Sequence, residues 1–264
     1  DGSLEDALGF LARGTRSAAI RALIADLLGS LRADQRRFLE ANETLELAAT
    51  LYEQAGRMDM VGKAYLSMGY VANLAGDTDG AVVYLTRAQQ LIDREESPFL
   101  FANCQHNLTD YLVKAGHFEE ADLRVPIVRR LWQEMGHFRA LLRLRWLEAF
   151  IQRGRGNLEA AITIFQELAW AFEQNQSPFD VALVQLDLAN VFASEGRLAE
   201  LEELAKEAFD GLSARGVHKE ALRALGLLRD AAVTRTVTLQ LLEEVARRVS
   251  QSKSNPTFSG PSSP

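Results

Sequence analysis

Any chemistry in this chain has to come from four histidines, one cysteine and scattered carboxylates. His106, His117, His137 and His218 are the candidate metal ligands and general bases. None has a second His or Cys at ligand spacing on the same helix face, so no zinc-type site is expected. His117, His137 and His218 fall where the chain turns, and turns favour polar residues. Cys104 stands alone, so no internal disulfide can form. A lone cysteine among helix formers reads first as a small buried apolar group and only then as a nucleophile. Acid pairs such as Glu202–Glu203 lie in helix-forming stretches and read as a solvated face. The glycines build no phosphate loop. With no nucleophile–base pair and no metal set, neither an enzyme nor a cofactor is expected.

The bulk composition agrees with a soluble globular protein. Of 264 residues, 47% are hydrophobic and 25% charged, which is ordinary for a globular chain with a packed core. The formal net charge of −7 speaks against nucleic acid or an anionic membrane as a non-specific partner. No run of about 18 apolar residues is present, so no membrane span is expected. The single cysteine fits a reducing compartment, hence the cytoplasm. The chain begins at Asp1 and not at Met, which reads as a processed or truncated start.

The strongest signal is a period. Gly76, Gly116, Gly156 and Gly196 are spaced 40 apart, and Gly56, Gly136 and Gly216 fall midway between rungs of that ladder. Glu96 and Gln176 occupy the rungs that this second series leaves empty. Each is followed by the triplet Ser-Pro-Phe, at 97–99 and again at 177–179. One period, Ser97 to Gly136, reads as a helix hairpin. Ser97 is a natural N-cap whose hydroxyl can accept from a first-turn N–H, and Pro98 suits the first helical position. The helix runs to Ala115, Gly116 permits the left-handed stop, and a second helix covers about Phe118 to Met135. Helices joined so tightly must run antiparallel. No segment alternates as a strand does.

The second period, Arg57 to Glu96, resembles a tetratricopeptide repeat (TPR). The residues that carry the likeness are Tyr65-x2-Met68-Gly69-x2-Ala72, then Ala81-x3-Leu85 and Ala88. Stepping by 40 gives Gly29, Gly69, Thr109, Ala149 and Ala189 at the small position of the first helix. The second helix gives Ala41, Ala81, Ala121, Ala161 and then Leu201; four residues on, it gives Leu45, Leu85, Val125, Phe165 and then Ala205. That last exchange of small for large predicts altered packing in the fifth repeat. The period is 40 residues instead of the family's 34, so each helix is ~4.5 Å longer at ~1.5 Å per residue. The family's proline at the end of the second helix is missing. Long repeats of this kind are similar to those in bacterial regulatory proteins, including sensor domains of transcriptional activators and peptide-responsive regulators.

The resemblance implies an all-α solenoid of helical hairpins, a right-handed superhelix of about five repeats. The repeats would span about 17–56, 57–96, 97–136, 137–176 and 177–216, with a degenerate capping hairpin over 217–250. Residues 1–16 read as a helix or linker, with Ser3-Leu4-Glu5-Asp6 as its start. Leu239, Leu242, Val245, Ala246 and Val249 form a stripe at helical spacing, and Glu243, Glu244, Arg247 and Arg248 lie off it, as a capping helix requires. The Ser- and Pro-rich residues 251–264 read as a disordered tail.

In the resembled family the first helix of each hairpin lines the concave side, where partners usually bind. On that pattern the groove residues are Lys63, Tyr70 and Asn73, then Asn103, His106 and Asp110, then Arg143, Trp146, Phe150 and Arg153, with Leu186 and Asn190 in the fifth repeat. Trp146 and Phe150 either form an aromatic patch in the groove or pack between repeats. Arg143 suits a carboxylate, and the asparagines suit an extended backbone. His106 and Asp110 stand where the family's clamp for chaperone C-termini has Lys and Asn, so that partner is not expected. Eight arginines between Arg124 and Arg155 face only Glu134 and Glu148, a balance of +6; from Asp187 to Asp210 seven acids face Arg197 and Lys206, a balance of −5. Either the adjacent hairpins attract each other, or the basic middle receives an acidic peptide or another subunit. The expected function is a non-catalytic scaffold that binds a protein or peptide partner. The alternative is the ligand- or peptide-sensing part of a larger bacterial signalling or transcription regulator.

Overall fold

The computed structural model describes residues 14–213 and 236–254, together with residues 5, 6, 8, 9, 225, 226, 228 and 231. Gly216, His218 and the tail beyond residue 254 lie outside the described residues. The described residues form eleven helices and no strand: α1 Ala18–Asp34, α2 Phe38–Gln54, α3 Met58–Leu74, α4 Thr78–Leu91, α5 Pro98–Lys114, α6 Phe118–Glu134, α7 Phe138–Gly154, α8 Leu158–Gln174, α9 Pro178–Ser194, α10 Leu198–Ser213 and α11 Leu239–Ser254. The first ten begin 20 residues apart without exception.

That stride comes from one turn used repeatedly. At Gly76 the backbone is left-handed with φ 87°, where a side chain would be strained. The Gly76 N–H donates to Asn73 O at 3.1 Å and the Asp77 N–H to Ala72 O at 2.9 Å, which satisfies two carbonyls at the end of α3. The pair recurs at Gly56, Gly116, Gly136, Gly156 and Gly196. Arg36 and Gln176 hold the same conformation with φ 61° and 52° although they carry side chains. Rung 96 departs. There α4 stops early at Leu91, Ile92 is extended, and the Asp93 carboxylate accepts the N–H groups of Glu95 and Glu96 at 2.7 and 3.0 Å. A side chain does the work of the left-handed residue, so no glycine is required.

Two compact units divide within α7, at Leu147 and Glu148. In the first, α1–α2, α3–α4 and α5–α6 are hairpins, each packing on the next, and the first helices also touch directly, α1 with α3 and α3 with α5. The small positions set the approach. A Cβ placed on Gly69 would lie 2.1 Å from Leu85 Cδ1 and 3.3 Å from Ala81 O. Gly29 meets Leu45 Cγ at 2.6 Å and Ala41 O at 3.3 Å in the same way. Thr109 and Val125 replace that pair one repeat on, both buried. Lys and Arg stay out of these cores; the Glu5 carboxylate, held by Arg32 at 2.7 Å and Arg37 at 2.7 Å, sits at the rim and titrates below the usual range because of those two guanidinium groups.

In the second unit α9 packs against α8, α10 and α11. Leu201 and Ala205 are both 1% exposed, so the exchanged pair still fills a core. Leu242, Val245 and Val249 of α11 are buried, while Glu243, Arg247 and Arg248 are exposed. The helix continues through Ser254, four residues into the stretch read as a tail. The capping role expected of Ser97 is not found: it accepts no first-turn N–H, and its hydroxyl lies 3.4 Å from Asp59 Oδ2 instead. Side chains that do cap include Ser17, accepting from Ile20, Asp77, accepting from Gly80, and Thr238, accepting from Leu241.

Candidate partner-binding face

Because the stride is constant, residues 40 apart occupy equivalent places on successive first helices. Lys63, Asn103 and Arg143 share one rung; Tyr70 and Asp110 share another. In the first unit the electrostatic reach of these side chains overlaps at Tyr111 and at His106. Tyr70 and Asp110 both act on the Tyr111 hydroxyl, and Asp110 and Arg143 both act on His106. Tyr70 is 42% exposed. Its hydroxyl is pushed up by partial burial and by Asp34, so it stays a neutral donor and acceptor. Asp110 accepts from Lys114 at 2.6 Å, and Lys114 lies 5.2 Å above the Tyr111 ring. Arg143 is exposed and has no partner among the described residues.

His106 is held from behind. Trp132 Nε1 donates to His106 Nδ1 at 3.3 Å, and the Trp132 ring packs edge-on against Phe99 at 5.7 Å and tilted against His137 at 5.3 Å. Burial pushes the imidazole down to about 4, with Arg143 adding to the shift and Asp110 opposing it. At neutral pH the ring is therefore uncharged, with its proton on Nε2 available to a partner. A histidine that prefers to be neutral when folded destabilises the fold as it is forced to charge. Stability is complete above about pH 6.5 and is lost as pH falls toward 4; the loss is about 2 kcal/mol after allowance for the ring's partial exposure. Urea unfolding of wild type and His106→Gln at pH 7.0 and 4.5 should show the wild type losing that much more than the variant.

Lys63 has a structural partner on a neighbouring first helix. Its ammonium is paired with Asp26, a carboxylate 1% exposed between α1 and α3, and Ser67 Oγ lies 3.4 Å from the same group. Lys63 therefore fastens two first helices together. Lys63→Met should cost about 2 kcal/mol by leaving Asp26 buried without its cation, and Asp26→Asn with Lys63→Met should recover most of it in thermal unfolding. Asn103 and Asn190 turn their amides back onto their own helices, to Phe99 O at 3.1 Å and Leu186 O at 3.2 Å. Asn73 is half-buried, and its side-chain amide has no hydrogen-bond partner among the described residues. Trp146 is half-buried. In the second unit Phe150 packs edge-on against Phe165 at 5.7 Å, Arg153 lies 5.7 Å over the Phe150 ring, and Leu186 is 1% exposed, which removes it from any groove. Cys104 is fully buried and its thiol is pushed up to about 12 by that burial, so it is no nucleophile.

No protein-family model matches this chain, and no curated protein does. Solved structures do. The Rap protein complexed with competence and sporulation factor superposes with a TM-score of 0.67 at 12% identity, over 94% of this chain and 71% of that one. TPR-like repeats of a kinesin light chain from Podosopora anserina give 0.62 at 15% identity, over 76% of this chain and 99% of theirs. The fold is that of the TPR-like repeat proteins. A third TPR-like neighbour, NprR in complex with its cognate peptide NprX, gives 0.59 at 12% identity, and this chain spans 66% of its length. At such identities the likeness carries the fold and not the site.

The residues that sequence periodicity does not single out are Asp26, Tyr111, Trp132 and Trp170. The ladder holds a signal for two of them. Asp26 stands on the rung of Leu66, His106, Trp146 and Leu186, where an acid is out of place. Trp170 stands on the rung of Thr50, Gln90, Arg130 and Asp210, where an aromatic is.

Proposed function

We propose that this chain is a non-catalytic binding module that holds a peptide or protein segment against the first-helix face of its first unit. Tyr70, His106, Asp110 and Arg143 make the contacts. One observation carries the reading: Arg143 is an exposed guanidinium with no partner among the described residues, on the same face as a half-exposed Tyr70 and a neutral His106. Tyr and Arg are the types that dominate interface energetics. Arg143 grips a carboxylate with two parallel bonds, so an acidic segment or a free C-terminus is the preferred ligand. The likeness to NprR in complex with its cognate peptide supports a peptide over a folded partner. The buried, inert thiol fits a cytoplasmic protein. A second reading, the sensing part of a larger bacterial regulator, uses the same face. It is favoured by the likeness to NprR and to a signal transduction ATPase with a TPR sensor, of which this chain spans 35%.

Arg143→Ala and Tyr70→Ala should each weaken capture of the native partner by tenfold or more, with circular dichroism unchanged, since a hot-spot truncation costs about 2 kcal/mol. Full capture by the double variant would remove this face from the account.

A further inference from the structure

At three places where two second helices flank a first helix the stacking leaves a crevice, lined at equivalent rungs. In the first unit one lies among Glu46, Glu53, Tyr65 and Arg87, and another among Gln105, Glu120, Leu123 and Arg124. Both hold acid and base together. Glu120 and Arg124, in the second, are 3.5 Å apart. The crevice of the second unit differs in three ways. It is larger, about 770 Å³ against 290 and 440 Å³. Its lining carries Glu173, Glu200, Glu203, Glu207 and Asp210 and no cation among the described residues. It also has Trp170 on its α8 wall.

Trp170 is 65% exposed. The equivalent residues Thr50, Gln90, Arg130 and Asp210 are all polar, so stacking of repeats does not need an indole there. Opposite it, Glu200, Glu203, Glu207 and Asp210 follow one another along α10 at three- and four-residue spacing. Like charges so placed destabilise a helix. Arg197 neutralises Glu200 at 2.9 Å, whereas Glu203, Glu207 and Asp210 have no partner among the described residues. Between the walls the floor is apolar: Val181, Leu188 and Phe192 of α9 with Leu204 of α10. These floor residues of α9 lie on another face from Asn190, which is ~200° round the helix from Leu188 at ~100° per residue.

We infer that this crevice docks a cationic amphipathic helix of a partner protein. Its apolar stripe rests on the α9 floor, its Lys or Arg residues, one turn apart, meet Glu203, Glu207 and Asp210, and one of them stacks on the Trp170 ring. Charge complementarity selects the occupant: a wall with three carboxylates that have no partner among the described residues, and an indole, suits cations and rejects acids. The crevice shares no residue with the face of Tyr70 and Arg143 and would bind a ligand of opposite sign.

The test uses the full chain and a fluorescein-labelled 15-residue helical peptide with a leucine stripe flanked by lysines, with its glutamate counterpart as control. Anisotropy at 0.1 M salt should show saturable one-to-one binding of the lysine peptide alone. Trp170→Ala should weaken it at least tenfold, Trp170→Phe by less than threefold, and Glu203→Lys with Glu207→Lys should abolish it. Arg143→Ala should leave it unchanged, so failure of the first-helix face would not be mistaken for failure here. Trp170 and the two glutamates are at the surface, and circular dichroism of each variant checks the fold. Binding unaltered by Trp170→Ala, or by the charge reversal, overturns the proposal. So does a dimer, seen by sedimentation, that Trp170→Ala dissociates, because the crevice would then belong to a second copy.

Discussion

Gly69→Leu should lower the stability of the first unit by about 3 kcal/mol, at the upper end of what overpacking costs. A first side-chain carbon alone would sit 2.1 Å from Leu85 Cδ1 and 3.3 Å from the Ala81 carbonyl. Leu85 and Ala81 are both fully buried, so the clash cannot be relieved by rotation into solvent. The α3–α4 hairpin must open, and every hairpin stacked on it loses its fit. Gly69→Ala should do much less, because the gain of about 1 kcal/mol in helix propensity offsets part of the crowding. Gly69→Thr combined with Leu85→Val copies Thr109 and Val125 of the next repeat and should recover most of the loss. Urea unfolding of the four proteins measures this; equal midpoints for wild type and Gly69→Leu would mean that the close approach does not hold the hairpin.

Trp132→Ala should cost about 3–5 kcal/mol. The indole is 2% exposed and joins Phe99, His106 and His137 in one cluster. Truncation leaves a large cavity and deprives His106 Nδ1 of its donor. Water then reaches the imidazole, whose pKa moves back toward its ordinary value, so the acid sensitivity between pH 6.5 and 4 should shrink with it. Trp132→Phe keeps most of the volume and loses mainly the hydrogen bond, worth about 1 kcal/mol. Denaturation at pH 7.0 and 4.5 separates the two contributions, and a variant as stable as wild type would show that the cluster is not the support of His106.

The fold was legible because a left-handed stop is chemically conspicuous. Six glycines at positive φ mark the helix ends, and the interval between them gives the hairpin length directly. Where another residue makes the stop, the mark disappears: Gln176 keeps the turn without a glycine, and at Glu96 the Asp93 side chain replaces it. Ser97 is a good cap by type, but the Asp59 carboxylate 38 residues away lies beside its hydroxyl. The face was legible as a set of rungs and not as a set of free groups. Periodicity puts Lys63 beside Asn103 and Arg143; only the three-dimensional neighbour Asp26, on a different rung, takes Lys63 out of circulation. Asn103 looks outward by spacing yet bonds its own helix, a choice made by the rotamer and hidden from sequence. Trp170 was visible all along as the one aromatic on a polar rung; its exposure gave that oddity a meaning.

Site-specific photo-crosslinking tests the binding account most directly. A photoreactive phenylalanine analogue replaces Tyr70 on the first-helix face in one protein and Leu123, 76% exposed on α6, in another. The account predicts that the native partner is trapped from position 70 and not from position 123. Trapping from 123 with none from 70 would contradict it.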